Sequence, residues 1–231
     1  MSNPVIVAHR GASATAPENT LTAFHQAIAL KADGIELDVQ ISRDGVPVVF
    51  HDDSLRRLTG KPGKMTAKTW FELQTLRVLG SDERIPRLTE VLALTRGRVV
   101  VQIELKRGVQ VAPVVAAIRQ ARAASWVILA SFEVNLVREA AELAVRIPRM
   151  LISEGRRSQK TVLRQLIECK ASGLSVNYRA VRDRKYVAYF QALGFSVWCW
   201  TVNDRRVAKR LIAWEIDGLL GDNPALLRGL N

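Results

Sequence analysis

The chain has 231 residues, 48% of them hydrophobic, as in an ordinary globular protein, and no apolar run reaches the roughly 18 residues that cross a bilayer. Its 34 Lys and Arg against 22 Asp and Glu give a net charge of +12, a field that draws anions. The basic residues are nevertheless scattered, with no block of five or six like charges, and aromatics make up only 6%, so neither a nucleic-acid tail nor a stacking platform for bases is supported.

Short apolar runs alternate with helical patterns from one end to the other. Strands are predicted at 5–8, 34–39, 99–104, 127–131, 147–152, 174–177, 195–200 and 217–220. Helices are predicted at 19–32, 66–76 with 88–95, 110–122, 133–145, 158–171, 183–193, 203–213 and 223–229. Strands that alternate with helices build a parallel sheet, and runs such as Val99-Val100-Val101 are apolar on both faces, as strands covered by helices must be. Eight such units at this length point to an α/β fold closed into a (β/α)8 TIM barrel, which needs roughly 200 residues or more. One segment departs from the repeat. An extra strand at 46–50 follows the second strand, and an irregular stretch runs from Asp52 to about Pro86 around the turn Gly60-Lys61-Pro62-Gly63. With no linker or low-complexity segment, residues 1–231 are expected to form one domain with a small insertion at about 52–86.

The start, Met1-Ser2-Asn3-Pro4, lacks the charged-then-apolar pattern of a secretion signal. Cys169 and Cys199 are too few and too scattered for a disulfide framework and are expected to be buried thiols. Both features favour the cytoplasm.

Barrel sites form at the C-terminal ends of the strands. Taken in order, those ends carry His9, Glu36 with Asp38, Glu104 with Lys106, Ser131, Glu154, Asn177, Trp200 and Asp222. Glu36 and Asp38 are two apart in a strand and share a face. They could pair with basic neighbours at the rim or hold a hard cation; Glu104 at the equivalent end of the next strand favours the cation, with Mg2+ and Ca2+ both accepting such oxygens. His9 and His51, each directly after an apolar run, suit general acid and base work near neutral pH. Arg10 and Lys106 are candidate phosphate clamps. His25 falls within a helical pattern and is assigned no role. Glu18 and Asn19 are read as first-turn charge and helix cap.

The set His9-Arg10-Gly11, Pro17-Glu18-Asn19-Thr20, Gly34-Ile35-Glu36-Leu37-Asp38-Val39, Asp44-Gly45, His51-Asp52, Ile103-Glu104-Leu105-Lys106, Trp200-Thr201-Val202-Asn203 and Asp217-Gly218 resembles the glycerophosphodiester phosphodiesterase family, in order and in spacing, over residues 6–224. The resemblance implies hydrolysis of glycerophosphodiesters to glycerol 3-phosphate and an alcohol. It implies one divalent metal ion on Glu36, Asp38 and Glu104, acid–base catalysis by His9 and His51, and an insertion overhanging the site; the order of the two histidines is open in the sequence, and His9 is taken as the base and His51 as the acid. It also implies Trp200 as an apolar wall for the glycerol carbons, although barrel packing is an equal reading of that residue. The chain departs from the family at Gly221, where threonine is usual before the aspartate. Two other functions are compatible with the sequence: cleavage of lysophospholipids at membranes, and non-catalytic binding of a polyanion through the basic surface.

Overall fold

In a computed structural model, which describes residues 3–230, the elements run β1 (Val5–Ala8), α1 (Leu21–Ala29), β2 (Gly34–Ile41), β3 (Pro47–Val49), α2 (Arg56–Thr59), α3 (Trp70–Leu73), α4 (Leu88–Thr95) and β4 (Val100–Leu105). They continue α5 (Val111–Gln120), β5 (Val127–Ser131), α6 (Val134–Leu143), β6 (Arg149–Ser153), α7 (Gln159–Glu168) and β7 (Gly173–Asn177). The chain closes with α8 (Arg184–Gln191), β8 (Ser196–Trp200), α9 (Arg205–Ala213), β9 (Gly218–Gly221) and α10 (Pro224–Leu227).

Eight strands lie parallel in the order β1-β9-β8-β7-β6-β5-β4-β2, and β1 also pairs with β2, which closes the barrel. The extra strand β3 returns antiparallel on β2, with Val39 opposite Val49. The fold is therefore the TIM barrel expected, with its interruption after the second strand.

Closure leaves two apolar compartments. Outward residues such as Ile35, Ile103, Leu129, Leu174 and Leu219 pack under the helices. Inward residues Val7, Ala130, Met150, Ile152, Trp198 and Leu220 fill the barrel below the site. Trp198 fits because its partner in register is Gly218, where a Cβ would stand 2.6 Å from the indole ring. Gly218→Ala is expected to lower stability by about 1–3 kcal/mol through overpacking, to be measured by urea unfolding.

Strand ends fall within two residues of the predicted ones, and α4 keeps its predicted bounds, but most of the other helices start later and stop sooner. The helix predicted from 19 begins at Leu21 because Asn19 sits at φ 58°, outside the helical region, and Thr20 provides the cap by accepting from the Ala23 N–H. The helix predicted at 66–76 is broken: a 3-10 turn, Met65–Ala67, is followed by extended Lys68 and Thr69, and Thr69 opens α3 through a reciprocal capping bond with Glu72. The segment from 52 to 86 is irregular in path but has its own buried cluster of Leu55, Met65, Leu73 and Ile85 against Val48 and Phe50. No helix among the described residues is long and apolar enough to cross a membrane.

Candidate active site

Register between β2 and β4 does most of the assembly. It sets Glu36 beside Gln102 and Asp38 beside Glu104, so carboxylates two residues apart on one strand meet a third from its neighbour. Oxygens of Glu36, Asp38 and Glu104 lie within 4.8 Å of one another. Lys106, directly after β4, places Nζ 2.7 Å from Glu104 and 3.3 Å from Asp38. Arg10 reaches the cluster from the β1 side, with Nε 3.3 Å from Asp38 and its backbone N–H donating to Glu36 at 2.9 Å. That backbone direction comes from a left-handed turn, Arg10 at φ 57° and Gly11 at φ 81°; a Cβ on Gly11 would also lie 2.7 Å from the Ala23 backbone.

Three carboxylates thus face two fixed cations, in a region where both Glu36 and Asp38 are buried. Burial and the neighbouring Asp38 push the Glu36 carboxyl up to about 8, against the pull of His9. Burial and Asp38 raise Glu104 as well, while Lys106 opposes them. Asp38 goes the other way: burial would raise it, but Lys106, Arg10 and His51 together hold it below the usual carboxylate range. A cluster that keeps a proton near neutrality carries more negative charge than its protein partners neutralise. A donor set of hard oxygens with that surplus fits a divalent cation.

Each site histidine is oriented by an aspartate. His9 Nδ1 is 2.7 Å from Asp222 Oδ1, and His51 Nδ1 is 2.7 Å from Asp52 Oδ1. Both imidazoles line the same cavity, so Nε2 is left for whatever occupies it. Burial lowers the affinity of His9 for a proton, but the Asp222 hydrogen bond and the nearby Glu36 outweigh it, and its pKa lies above the ordinary value. Asp222 also accepts from Ser13 and Asn203, and Asp52 from Arg57 at 2.6 and 2.8 Å. Arg57 bonds Glu18 too, and Glu18 accepts from Arg10, so the insertion is tied to the β1 loop by a chain of charges.

The cavity measures about 240 Å³. Arg10, Glu36, Glu104, Lys106 and the two histidines form its charged side; Phe132, Trp200, Ile152 and Leu220 form its apolar side. Trp200 packs edge-on to Phe132 at 5.6 Å between ring centroids and donates its indole N–H to the Ser175 carbonyl. Trp198, on the same strand face, goes instead to the barrel interior.

All eight residues singled out in the sequence, His9, Arg10, Glu36, Asp38, His51, Glu104, Lys106 and Trp200, come together here, Asp38 through its bonds to Arg10 and Lys106. Some expectations fail. Asn19 is not a helix cap: it is buried, donates from Nδ2 to Asp38 at 2.8 Å and accepts the Asp38 N–H. Glu18 lies before the first turn and serves the arginine network. Ser131 faces outward, bonding the Leu105 carbonyl, and the inward position at the end of β5 belongs to Phe132. The Asn177 amide turns to Glu154. His25 is exposed on α1, and both cysteines are buried free thiols. Gly221 has a steric reason: a Cβ there would meet the Val202 carbonyl oxygen at 2.4 Å.

Sequence reading missed Gln40, whose amide donates to the carbonyls of Phe50, His51 and Asp52 at 3.0, 3.2 and 2.8 Å. Its inward position in β2, two residues beyond Asp38, was the available signal. Gln40→Leu strands three carbonyls and is expected to cost about 1–3 kcal/mol of stability and to lower turnover by loosening His51, checked by urea unfolding alongside kcat.

Residues 9–226 match the model of the Glycerophosphoryl diester phosphodiesterase family. A glycerophosphodiester phosphodiesterase of Caldanaerobacter subterraneus subsp. tengcongensis is 31% identical over 238 residues, covering 98% of this chain and 97% of that protein. The crystal structure of the glycerophosphodiester phosphodiesterase from Thermotoga maritima superposes with a TM-score of 0.84 at 29% identity, over 100% of both chains. A phosphodiesterase of Oleispira antarctica, solved in complex with the product sn-glycerol-3-phosphate, gives 0.87 at 27% identity and covers 99% and 96%.

Proposed function

Because the chain belongs to the glycerophosphoryl diester phosphodiesterase family and is a glycerophosphodiester phosphodiesterase, we propose that one divalent metal ion, Mg2+ or Ca2+, and two histidines carry its reaction. Glycerophosphodiester and water give sn-glycerol 3-phosphate and an alcohol. The observation that carries this reading is the convergence of two His–Asp pairs on one cavity beside the Glu36, Asp38 and Glu104 cluster.

Glu36, Asp38 and Glu104 would hold the metal ion, which when bound supplies positive charge to the phosphoryl oxygens and to the oxygen that attacks. Arg10 and Lys106 bind the phosphoryl group, Arg10 by its planar fork and Lys106 as a point charge. His9 Nε2 takes the proton from the attacking oxygen as that oxygen bonds to phosphorus. His51 Nε2 gives a proton to the leaving alkoxide as the old P–O bond breaks. Asp222 and Asp52 hold the two rings in the tautomer that leaves Nε2 facing substrate. Trp200 and Phe132 cover the carbon side of the substrate and keep water off it. The chain acts as one catalytic domain, and its two buried thiols suit the cytoplasm.

The test is release of glycerol 3-phosphate from glycerophosphocholine by metal-stripped protein, with Mg2+ or Ca2+ added back. Metal-dependent release that is lost in Glu36→Ala supports the reaction and the metal site together. Silence with both metals, from folded protein, overturns the reading and turns the search to lysophospholipids.

A further inference from the structure

Beneath the charged rim of the cavity lie two polar side chains that neither the fold nor the proposed chemistry uses. Gln102 and Ser175 are each 1% exposed and both line the cavity. Gln102 Oε1 and Ser175 Oγ have no hydrogen-bond partner among the described residues. Two such atoms in a packed barrel interior are costly to keep, because each loses its hydration without gaining a partner, and the inward positions around them hold Ala130, Met150, Ile152, Trp198 and Leu220. An apolar residue would suit either position better if stability alone were at stake.

Their depth is informative. Gln102 stands two residues before Glu104 on β4, beside Glu36, the deepest carboxylate of the acidic cluster, and Ser175 stands two before Asn177 on β7, so both lie one pleat below Glu104, Lys106 and the strand ends. Two residues span roughly 6–7 Å along a strand, and less along a tilted barrel axis. A small ligand lowered into this cavity meets three chemistries in sequence: Arg10 and Lys106 above, the apolar edges of Phe132, Ile152, Trp200 and Leu220 beside it, and an unpaired carbonyl and hydroxyl below. That order matches a phosphate, a short carbon chain and a terminal hydroxyl. A hydroxyl both donates and accepts, which is what Gln102 Oε1 and Ser175 Oγ lack.

We propose that Gln102 and Ser175 form a polyol-reading floor that bonds a hydroxyl of the glycerol moiety and so selects phosphorylated polyols over phosphates without that hydroxyl. The proposal rests on the glycerophosphodiesterase reading and adds to it the residues that set specificity on the glycerol side. They touch no reacting atom. The cost of their burial is offset only when the hydroxyl is in place, so the pair contributes selectivity at the expense of stability in the free protein.

The experiment measures competitive inhibition of the metal-loaded enzyme by sn-glycerol 3-phosphate and by its two deoxy analogues, the phosphates of 1,2-propanediol and 1,3-propanediol. Wild-type protein is expected to bind glycerol 3-phosphate about tenfold better than one of the analogues, the worth of a hydroxyl seated on built partners. Gln102→Leu and Ser175→Ala are each expected to shrink that ratio severalfold. Gln102→Leu is also expected to melt at a higher temperature than wild type without ligand, which a residue with a structural role would not do. Three results overturn the proposal: an unchanged ratio in both variants, as when a resident water sits on the floor; equal binding of all three phosphates by wild type; or a lower melting temperature in both variants. Failure of wild type to hydrolyse any glycerophosphodiester overturns the reading beneath it as well, so the two failures are told apart in the same experiment.

Discussion

His51→Ala is expected to lower kcat on glycerophosphocholine by about 10²–10⁴-fold while leaving the melting temperature almost unchanged. The two halves of that expectation have separate grounds. The His51 ring is partly exposed at the cavity edge, and its partner Asp52 keeps two hydrogen bonds from Arg57, so removing the ring strands no buried charge. His9→Ala is similar, since Asp222 retains Ser13 and Asn203. Loss of turnover in either variant would therefore report chemistry rather than misfolding. The roles are separable by the leaving group. An alkoxide needs a proton as it departs, whereas a p-nitrophenolate does not. With His51 as the acid, His51→Ala is expected to recover most of its lost rate on a p-nitrophenyl phosphodiester of glycerol, and His9→Ala is not. The reverse pattern would exchange the two assignments, and near-normal turnover on glycerophosphocholine would remove the affected residue from the mechanism.

The barrel was legible because its signal is repeated. Eight apolar runs of strand length, each followed by a helical pattern, leave few alternatives, and a wrong boundary in one unit does not disturb the others. The candidate site was legible where chemistry is concentrated: histidines after strands and carboxylates at spacing two converge on one cavity. It was not legible where a residue acts through backbone geometry. Asn19 follows Pro17-Glu18 and precedes a helix, so local sequence favours a cap; its left-handed φ turns it away from the helix and onto Asp38, a partner 19 residues distant. Ser131 shows the complementary error. A shift of one residue at a strand end exchanges the inward and outward faces, and the polar residue expected at the rim gave way to Phe132. Gln102 and Ser175 were invisible for a different reason: a polar residue inside an apolar strand gains meaning only once its bonding partners, or their absence, can be seen.

The proposed cation site should be tied to protons in a way that can be measured without turnover. With Glu36 pushed up to about 8, the metal-free protein holds a proton there at neutral pH, and a divalent cation has to displace it. Metal affinity is therefore expected to rise with pH, by up to about tenfold per unit below pH 8 for one displaced proton, and to level off above it. Calorimetric titration of stripped protein in two buffers of different ionisation enthalpy should show release of nearly one proton at about pH 7, falling toward zero well above pH 8. The stability of the metal-free protein follows the same sign. A carboxyl whose pKa is raised in the folded state stabilises that state fully below its unfolded value of 4.5 and loses the contribution as pH climbs through about 8. Over that window the stripped protein should become less stable as pH increases, so the rise in melting temperature on adding Mg2+ or Ca2+ should grow with pH. In Glu36→Gln the proton linkage should vanish, because the amide has no proton to surrender there, and affinity for the cation should fall. Binding that releases no proton in wild type, or a Glu36→Gln variant that keeps the wild-type pH slope, would move the titrating group elsewhere in the cluster.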